Sequence, residues 1–339
     1  MKLLKWLLIG FAVLLLVVPL VGGLGYYLSL DHERAYAREV SALPAFDPGR
    51  SAGDEAVLST LAVGGDQFRL RSAGFGGSAG NVLLLHGFPE TSIMYEAMIP
   101  VLAQAGFQVV AFDQRGYSPG ARPESVASYA TDALVADVYA VADAVGFERF
   151  HLVGHDWGAA VGWRAVIAGS PRLVSWSALS IPHLGAYGQA IASDPDQQSR
   201  SGYLKLFATP WVPEVLFGFN GFAMLGSSIY SEHGDAARAE YLALFREPGA
   251  LTAALNWYRA SAAETNGLPL QASLAPVRLP TAFIWGSHDP VVGAAALSAQ
   301  RELFDGNLWE TELDAGHWLM ENAPQAVTEA VLAHLDRAR

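Results

Sequence analysis

The sequence predicts an α/β fold with a mostly parallel sheet flanked by helices and an inserted helical cap. Short apolar runs alternate with segments of helical periodicity, which is the pattern of strands and crossover helices in a parallel sheet. This alternation stops over residues 182–274, where aromatic-rich helical stretches occur without strand signals. With 52% hydrophobic and 16% charged residues, the chain has the composition of a globular protein rather than a disordered one.

Residues 1–30 predict a transmembrane anchor, with a cleaved signal peptide as the main alternative and a buried helix of a soluble protein as a third. Lys2 and Lys5 precede residues 6–30, which carry no charge and, as a helix, are long enough to cross a hydrocarbon core of about 30 Å. A signal peptide usually has a shorter apolar core and a small-residue cleavage site, and no clear site of that kind follows. The two lysines favour a cytoplasmic amino terminus. The rest of the chain is therefore predicted to be extracytoplasmic, either anchored by this helix or secreted after cleavage.

The remaining chain divides into three parts. Residues 31–50 predict a short polar helix and a linker rich in Pro and Gly, and the α/β core is predicted over residues 51–181 and 275–339. The helical cap is predicted over residues 182–274. The clearest buried strands are Asn81 to Leu85, Phe107 to Phe112, Phe150 to Val153, Leu173 to Leu179, Thr281 to Trp285 and Leu308 to Leu313.

Charge and cysteine content exclude several classes of function. The formal net charge is −12, so nucleic acid is not an expected partner. The chain has no cysteine, which excludes disulfides, a cysteine nucleophile and thiolate metal ligands.

One segment has the form of a nucleophile elbow. An apolar strand ends in Gly154-His155-Asp156-Trp157-Gly158, and a helix-compatible run follows. The two glycines give the room that a sharp turn from strand to helix needs. The central side chain of such a turn stands at a helix amino terminus, beside backbone N–H groups that have no helical partner. Asp156 occupies this position, where serine is the more usual residue.

Other polar motifs follow predicted strands. His86-Gly87-Phe88-Pro89-Glu90 follows one strand and Asp113 ends another, while Asp289 and His317 lie shortly after the last two. Ligands and catalytic groups collect at the carboxyl ends of parallel strands. With these motifs in this order, the chain resembles the α/β-hydrolase superfamily from residue 55 to its end, and within it the epoxide hydrolases and their dehalogenase relatives.

The resemblance implies a role for each motif. Asp156 is the expected nucleophile, Asp289 the acid that orients the base, and His317 the base. The backbone N–H groups of Phe88 and Trp157 are the expected oxyanion hole. Neither a metal ion nor an organic cofactor is expected.

An aspartate nucleophile suits an electrophile other than an acyl group. A carboxylate can displace a leaving group at an sp3 carbon and form an alkyl ester, which water activated by His317 then hydrolyses. In the family, one or two cap tyrosines protonate the epoxide oxygen, and Tyr258 in Asn256-Trp257-Tyr258-Arg259 and Tyr203 in Ser201-Gly202-Tyr203-Leu204 match these motifs. The expected reaction is hydrolysis of a small apolar epoxide to a vicinal diol. The expected substrate contacts are His86, Trp157, Tyr203 and Tyr258.

Two alternative functions stay open. A haloalkane-type dehalogenase would use the same ester chemistry, although Phe88 stands where such enzymes commonly have a halide-binding Asn. Trp157 and Ala160 also replace the arginines with which fluoroacetate-type dehalogenases hold a carboxylate. The second alternative is a ligand-binding relative with little turnover. The other histidines, including His155, His183, His233 and His288, lack metal-like spacing and are interpreted as structural or solvated.

Overall fold

An eight-stranded sheet is the framework of the chain in a computed structural model that describes residues 20–264 and 274–339. The strand order is β1-β2-β4-β3-β5-β6-β7-β8; β2 pairs antiparallel with β1 and β4, and all other pairs are parallel. The predicted α/β class with a mostly parallel sheet is confirmed. The strands are β1 Val57–Val63, β2 Asp66–Ala73, β3 Gly80–Leu85, β4 Phe107–Phe112, β5 Phe150–His155, β6 Leu173–Leu179, β7 Thr281–Gly286 and β8 Leu308–Leu313.

Helices cover both faces of the sheet. Strand side chains alternate between the faces, so Val82 and Leu84 pack towards α3 and α14, while Leu83 and Leu85 lie in the cluster that contains α4 and α5. The central parallel strands are mostly apolar because both of their faces are buried. The helices of the core are α3 Met98–Gln104, α4 Thr131–Ala144, α5 Trp157–Ile167, α12 Ala294–Arg301, α13 Leu319–Asn322 and α14 Pro324–Arg337.

The segment between β6 and β7, predicted as the cap, is helical. Its helices are α6 Leu184–Ser193, α7 Pro195–Arg200, α8 Tyr203–Ala208, α9 Val212–Met224, α10 Asp235–Arg246 and α11 Ala250–Glu264, with a π-helical turn at Leu225–Ile229. The backbone of α9 is non-helical from Phe219 to Phe222. The cap begins after the carboxyl end of β6, at the edge of the sheet where the strands that carry the polar motifs also end.

The predicted membrane anchor requires correction. Within residues 20–264 and 274–339, no helix is both long enough and apolar enough to cross a bilayer. This finding overturns the predicted anchor, and the extracytoplasmic placement that depends on the same segment falls with it. Residues 1–19, which include most of the predicted span, lie outside the described residues.

The described end of this apolar segment packs against the cap. Residues 20–29 form a helix, α1, in which Gly22 lies against Val215 of α9. The ring of Tyr26 contacts that of Phe222, with centroids 6.2 Å apart. The Ser29 hydroxyl accepts a hydrogen bond of 2.8 Å from the Gly221 N–H. The apolar side chains that suggest a lipid-facing helix thus also serve protein packing.

The segment predicted as a linker is packed as well. It contains α2, Ala35–Ser41, whose Tyr36 and Val40 side chains are buried. The Phe46 N–H donates to the Thr60 carbonyl of β1 at 2.7 Å, which ties the segment to the edge of the sheet. Residues 31–50 therefore connect α1 to the sheet through direct contacts.

A buried ion-pair network joins the cap to the sheet. Arg69 and Arg71 extend from β2 to the same Glu240 carboxylate on α10, each with a nitrogen 2.6 Å from Oε2. Arg69 also donates to Asp113 at 2.8 Å. Burial alone would raise the pKa of Glu240, but the hydrogen bond from Arg69 and the charges of both arginines lower it. We call Arg69, Arg71, Asp113 and Glu240 the cap latch.

Glu240→Gln should lower the free energy of unfolding by about 3–5 kcal/mol, because it leaves two buried guanidinium groups facing one remaining carboxylate. Equilibrium denaturation in urea measures this change. The matched control is Asp132→Asn, which breaks the exposed pair with Arg164 and should change stability by about 1 kcal/mol or less. An effect of Glu240→Gln no larger than the control would show that the latch does not stabilise the fold.

Candidate active site

The carboxyl ends of four parallel strands bring the site together. Asp156 follows β5, Ser180 follows β6, Asp289 follows β7 and His317 follows β8. All four residues are at least nine-tenths buried. Parallel strands end at one edge of a sheet, so residues far apart in the sequence meet here.

Asp156 occupies the sharp turn that the sequence predicts. Its φ is 49° and its ψ is −116°, and α5 begins at the next residue. The glycines on either side allow close backbone approach: a Cβ at Gly158 would lie 2.2 Å from the Leu85 carbonyl oxygen, and one at Gly154 would lie 2.4 Å from the Gly158 carbonyl oxygen. The glycine spacing is thus required by contacts of the turn with its own helix and with β3.

His317 lies between two carboxylates. Its Nε2 is 3.6 Å from Asp156 Oδ2, and its Nδ1 is 3.0 Å from Asp289 Oδ2. Burial disfavours the charged imidazole, but Asp289 and Asp156 outweigh it and raise the pKa of His317 well above its usual value. Burial would likewise raise the pKa of Asp289, but His317 and further hydrogen bonds lower it to about 2. The pair is therefore ionised at neutral pH in the resting chain.

Ser180 contacts both partners of that pair. Its Oγ is 2.6 Å from Asp289 Oδ2 and 3.0 Å from His317 Nδ1. The second oxygen of Asp289 accepts from the Val291 N–H at 2.7 Å. Both oxygens of the Asp289 carboxylate are thus held in place.

One backbone N–H group contacts the Asp156 carboxyl group, and a second follows it in the chain. The Phe88 N–H donates to Asp156 Oδ1 at 2.9 Å. Trp157 is the first residue of α5, so its N–H has no partner within the helix. These are the two groups that the sequence predicts as an oxyanion hole.

A cavity of about 840 Å³ opens from Asp156 towards the cap. Tyr203 and Tyr258 from the cap line it together with Trp157, whose ring centroid lies 5.0 Å from that of Tyr258. Burial raises the pKa of both phenols well above 10, and the negative charge of Asp156 adds to the effect. Both phenols therefore keep their protons at neutral pH. Most of the remaining wall is apolar, with Ala160, Ile181, Leu184, Ile191, Leu204 and Ala208.

His86 does not line this cavity, although the sequence predicts it as a substrate contact. Its Nε2 accepts from the Gln114 N–H at 3.0 Å, and its Nδ1 is 2.9 Å from the Gly87 carbonyl oxygen. Its ring packs against Tyr117. Both nitrogens are occupied by backbone groups, so His86 braces the loop that carries the Phe88 N–H.

Behind His317 lies a second polar cluster. His155 contacts the Glu90 carboxylate at 3.2 Å and the His317 carbonyl oxygen at 2.9 Å, and His233 contacts Glu90 at 3.3 Å. Within the described part of the chain, Glu90, His233 and Glu321 form a group that could hold a metal ion, with ligand atoms within 4.8 Å of one another.

Interactions within this cluster shift the pKa values of its two carboxyl groups in opposite directions. Burial would raise the pKa of Glu90, but hydrogen bonds from His155 and His233 lower it. Burial and the charge of Glu90 raise the pKa of Glu321 to about 10, so this group keeps its proton at neutral pH. None of the three possible ligands lines the cavity. The cluster therefore lies behind the site and outside the cavity, and the structural interpretation of His155 and His233 stays a prediction.

Three residues of the site carry no role in the sequence predictions. Glu90 is the last residue of the motif that begins at His86, and its place in that motif is the sequence signal that could have identified it. Ser180 and Tyr187 lack such a signal, because a serine after a strand and a tyrosine in a helix are common. Tyr187 lines the cavity, and its hydroxyl is 3.2 Å from that of Ser201.

Comparisons with known proteins identify the family of the chain. A family model described as the alpha/beta hydrolase fold matches residues 80–198. Epoxide hydrolase A of Mycobacterium tuberculosis is 33% identical over 301 residues, covering 75% of this chain and 89% of that protein. The AB hydrolase superfamily protein YfhM of Bacillus subtilis is 32% identical over 260 residues, covering 75% and 89%.

Solved structures give the same result. The crystal structure of Bacillus megaterium epoxide hydrolase in complex with an inhibitor superposes with a TM-score of 0.71 at 25% identity, covering 82% of this chain and 100% of that one. The resemblance inferred from the motifs is confirmed by both kinds of comparison. The chain belongs to the epoxide hydrolase family of the α/β-hydrolase superfamily and is an epoxide hydrolase-like enzyme.

Proposed function

We propose that this enzyme opens an apolar epoxide to a vicinal diol through a covalent ester of Asp156. The observation that carries the proposal is the cavity. Asp156 and two tyrosines with protonated phenols, Tyr203 and Tyr258, line the same cavity. A carboxylate is a nucleophile for carbon, and a phenol can protonate the oxygen that leaves. The mostly apolar wall supports an apolar substrate.

In the first step, Asp156 attacks one epoxide carbon. A bond forms between a carboxylate oxygen and that carbon, and the carbon–oxygen bond of the ring breaks. The ring oxygen takes a proton from Tyr258 or Tyr203, which leaves a hydroxyl group on the neighbouring carbon. The Phe88 N–H holds Asp156 Oδ1 at 2.9 Å, so the carboxylate keeps its orientation during the attack.

In the second step, His317 takes a proton from water, and the water oxygen attacks the ester carbonyl of Asp156. The negative charge of Asp156 contributes to the raised pKa of His317 in the resting enzyme, and esterification removes that charge. The pKa of His317 therefore falls when the ester forms, so the imidazole becomes a base at the stage that needs one. Asp289 holds the Nδ1 side of the ring at 3.0 Å.

The developing negative charge then lies on the ester carbonyl oxygen. In this proposal the N–H groups of Phe88 and Trp157 stabilise it, and one such donor is typically worth about 3 kcal/mol. The bond between the Asp156 carbonyl carbon and the ester oxygen breaks, and the diol leaves with an oxygen atom that came from Asp156. The proton that His317 loses when the ester forms returns to the phenolate. After hydrolysis the departing diol oxygen takes the proton of the Asp156 carboxylic acid, and His317 keeps the proton that it took from water, which restores the resting state.

Oxygen-18 labelling tests the proposal. In a single turnover with enzyme in excess in ¹⁸O water, the first diol should be unlabelled, and mass spectrometry should find the label in the peptide that contains Asp156. Unreacted epoxide incubated without enzyme is the control for solvent hydrolysis. A first diol that carries ¹⁸O, with no label on Asp156, would reject the ester mechanism in favour of direct attack by water.

The dehalogenase alternative has less support at the position that would bind halide. The Phe88 side chain packs among aromatic rings, including those of Phe207 and Tyr258 at centroid distances of 5.6 and 5.4 Å, and offers no side-chain N–H. The ligand-binding alternative predicts no release of diol in the same labelling experiment.

A further inference from the structure

Ser180 has a backbone conformation that a serine rarely adopts. Its φ is 71°, in the left-handed region that favours glycine. The Ile181 N–H donates to the Leu179 carbonyl at 3.0 Å, which closes a tight three-residue turn. The Ser180 N–H donates to the Ile284 carbonyl of β7 at 2.8 Å. Non-glycine residues in such strained conformations cluster at functional sites, which suggests that the side chain of Ser180 has a function.

The contacts of the Ser180 hydroxyl fix the position of every hydrogen in the Asp289–His317 pair. An ionised carboxylate only accepts, so the single hydroxyl hydrogen lies in the 2.6 Å contact with Asp289 Oδ2. His317 Nδ1 is 3.0 Å from both Ser180 Oγ and Asp289 Oδ2, and because neither atom has a hydrogen left to offer it, Nδ1 carries the hydrogen and donates it towards these two acceptors. With its hydrogen on Nδ1, the imidazole presents the lone pair of Nε2 towards Asp156 once the ring is neutral.

We propose that Ser180 is a positioning residue that acts through Asp289 and His317 in the hydrolysis of the ester. The inference rests on the ester mechanism proposed above. The hydroxyl does not line the cavity, so it has no part in ring opening. It serves only the step in which His317 acts as a base.

The hydroxyl also determines how strongly Asp289 acts on His317. A short hydrogen bond to Oδ2 withdraws negative charge from the carboxylate, and its loss leaves more of that charge facing the imidazole. The other titratable groups that face His317 are Asp156, Glu321 and His155, and Ser180 contacts none of them. Removing the hydroxyl should therefore raise the pH at which His317 becomes neutral in the ester.

Three variants separate the hydroxyl from the strained backbone. Ser180→Ala removes the hydroxyl and keeps a side chain at positive φ, whereas Ser180→Gly removes the hydroxyl and relieves the strain. Ser177→Ala is the matched control, because Ser177 is buried on β6, the strand that Ser180 follows, and its hydroxyl has no hydrogen-bond partner among the described residues.

Ester formation and ester hydrolysis are measured separately by rapid quenching and intact-mass spectrometry of the full-length enzyme with an aryl epoxide. Both Ser180 variants should form the ester within about twofold of the parental rate and hydrolyse it about tenfold more slowly. The steady-state kcat and KM should fall together with little change in kcat/KM, because only the second step is affected. The acid limb of the pH profile, where the rate of ester hydrolysis falls as His317 becomes protonated, should shift to higher pH by about half a unit or more.

Each outcome decides between the proposals. Parental ester hydrolysis and an unchanged acid limb in Ser180→Gly would overturn the role of Ser180. A defect in Ser180→Ala that Ser180→Gly repairs would show a backbone effect and would also overturn it. Absence of any ester in the parental enzyme would instead reject the proposed function, so the two failures are distinguishable.

Discussion

His317→Gln should form the covalent ester but release diol about 10²- to 10⁴-fold more slowly than the parental enzyme. The substitution removes the base that activates water and leaves the Asp156 carboxylate and its Phe88 N–H donor in place. Intact-mass spectrometry after mixing with substrate should show an adduct equal to the substrate mass. Digestion should map this adduct to the peptide that contains Asp156.

Asp156→Ala is the matching control, since it removes the nucleophile and leaves the base. It should show neither adduct nor turnover. Asp156→Asn is a poorer choice, because slow deamidation would restore the carboxylate. An adduct on any other residue, or diol release by Asp156→Ala at the parental rate, would contradict the assignment of the nucleophile.

Removal of both phenol hydroxyls, in Tyr203→Phe with Tyr258→Phe, should slow ester formation by about 10²- to 10⁴-fold. The ring oxygen would then leave without a proton donor, whereas His317 and Asp289 would remain intact for the second step. Rapid-quench measurement of ester formation gives the first rate, and decay of the ester gives the second. The decay rate should stay within about twofold of the parental value.

Tyr139→Phe is the control for the loss of a buried hydroxyl. Tyr139 lies on α4 away from the cavity, and its hydroxyl has no partner among the described residues. It should leave both rates unchanged. Ring opening at the parental rate in the double variant would remove both tyrosines from the mechanism and would strengthen the dehalogenase alternative.

The sequence predicted the central strands because these are buried on both faces and therefore read as continuous apolar runs. It did not predict β1 and β2, at the antiparallel edge of the sheet. Arg69 and Arg71 interrupt the apolar pattern of β2, and the carboxylate that they share when buried, Glu240, comes from the cap. A partner so distant in sequence leaves no local signal.

The residues of the candidate site also divide into those that a local sequence pattern predicts and those whose placement depends on distant contacts. Asp156, Asp289 and His317 were predicted because each belongs to a motif at the end of a strand, and the structure brings them into contact. Whether they perform the proposed steps is for the variants above to decide. His86 belongs to a motif too, but its side chain turns into the loop, which only the packing of Gln114 and Tyr117 determines. The apolar run at the amino terminus does not reveal its surroundings either, because packing against a cap and packing against lipid require similar side chains.

The two cap tyrosines differ in how firmly their helices are attached. Tyr258 lies on α11, where the Trp257 indole donates to the Arg115 carbonyl at 2.9 Å and Glu264 accepts two hydrogen bonds of 2.9 Å from Thr131. Tyr203 lies on α8, a short helix with no fully buried residue. Helices with few buried contacts open at lower free energy than those anchored in a core. Substrate entry and diol exit are therefore expected to displace Tyr203 with α8 while Tyr258 stays fixed, so that of the two proposed proton donors only Tyr258 would keep its position throughout the cycle.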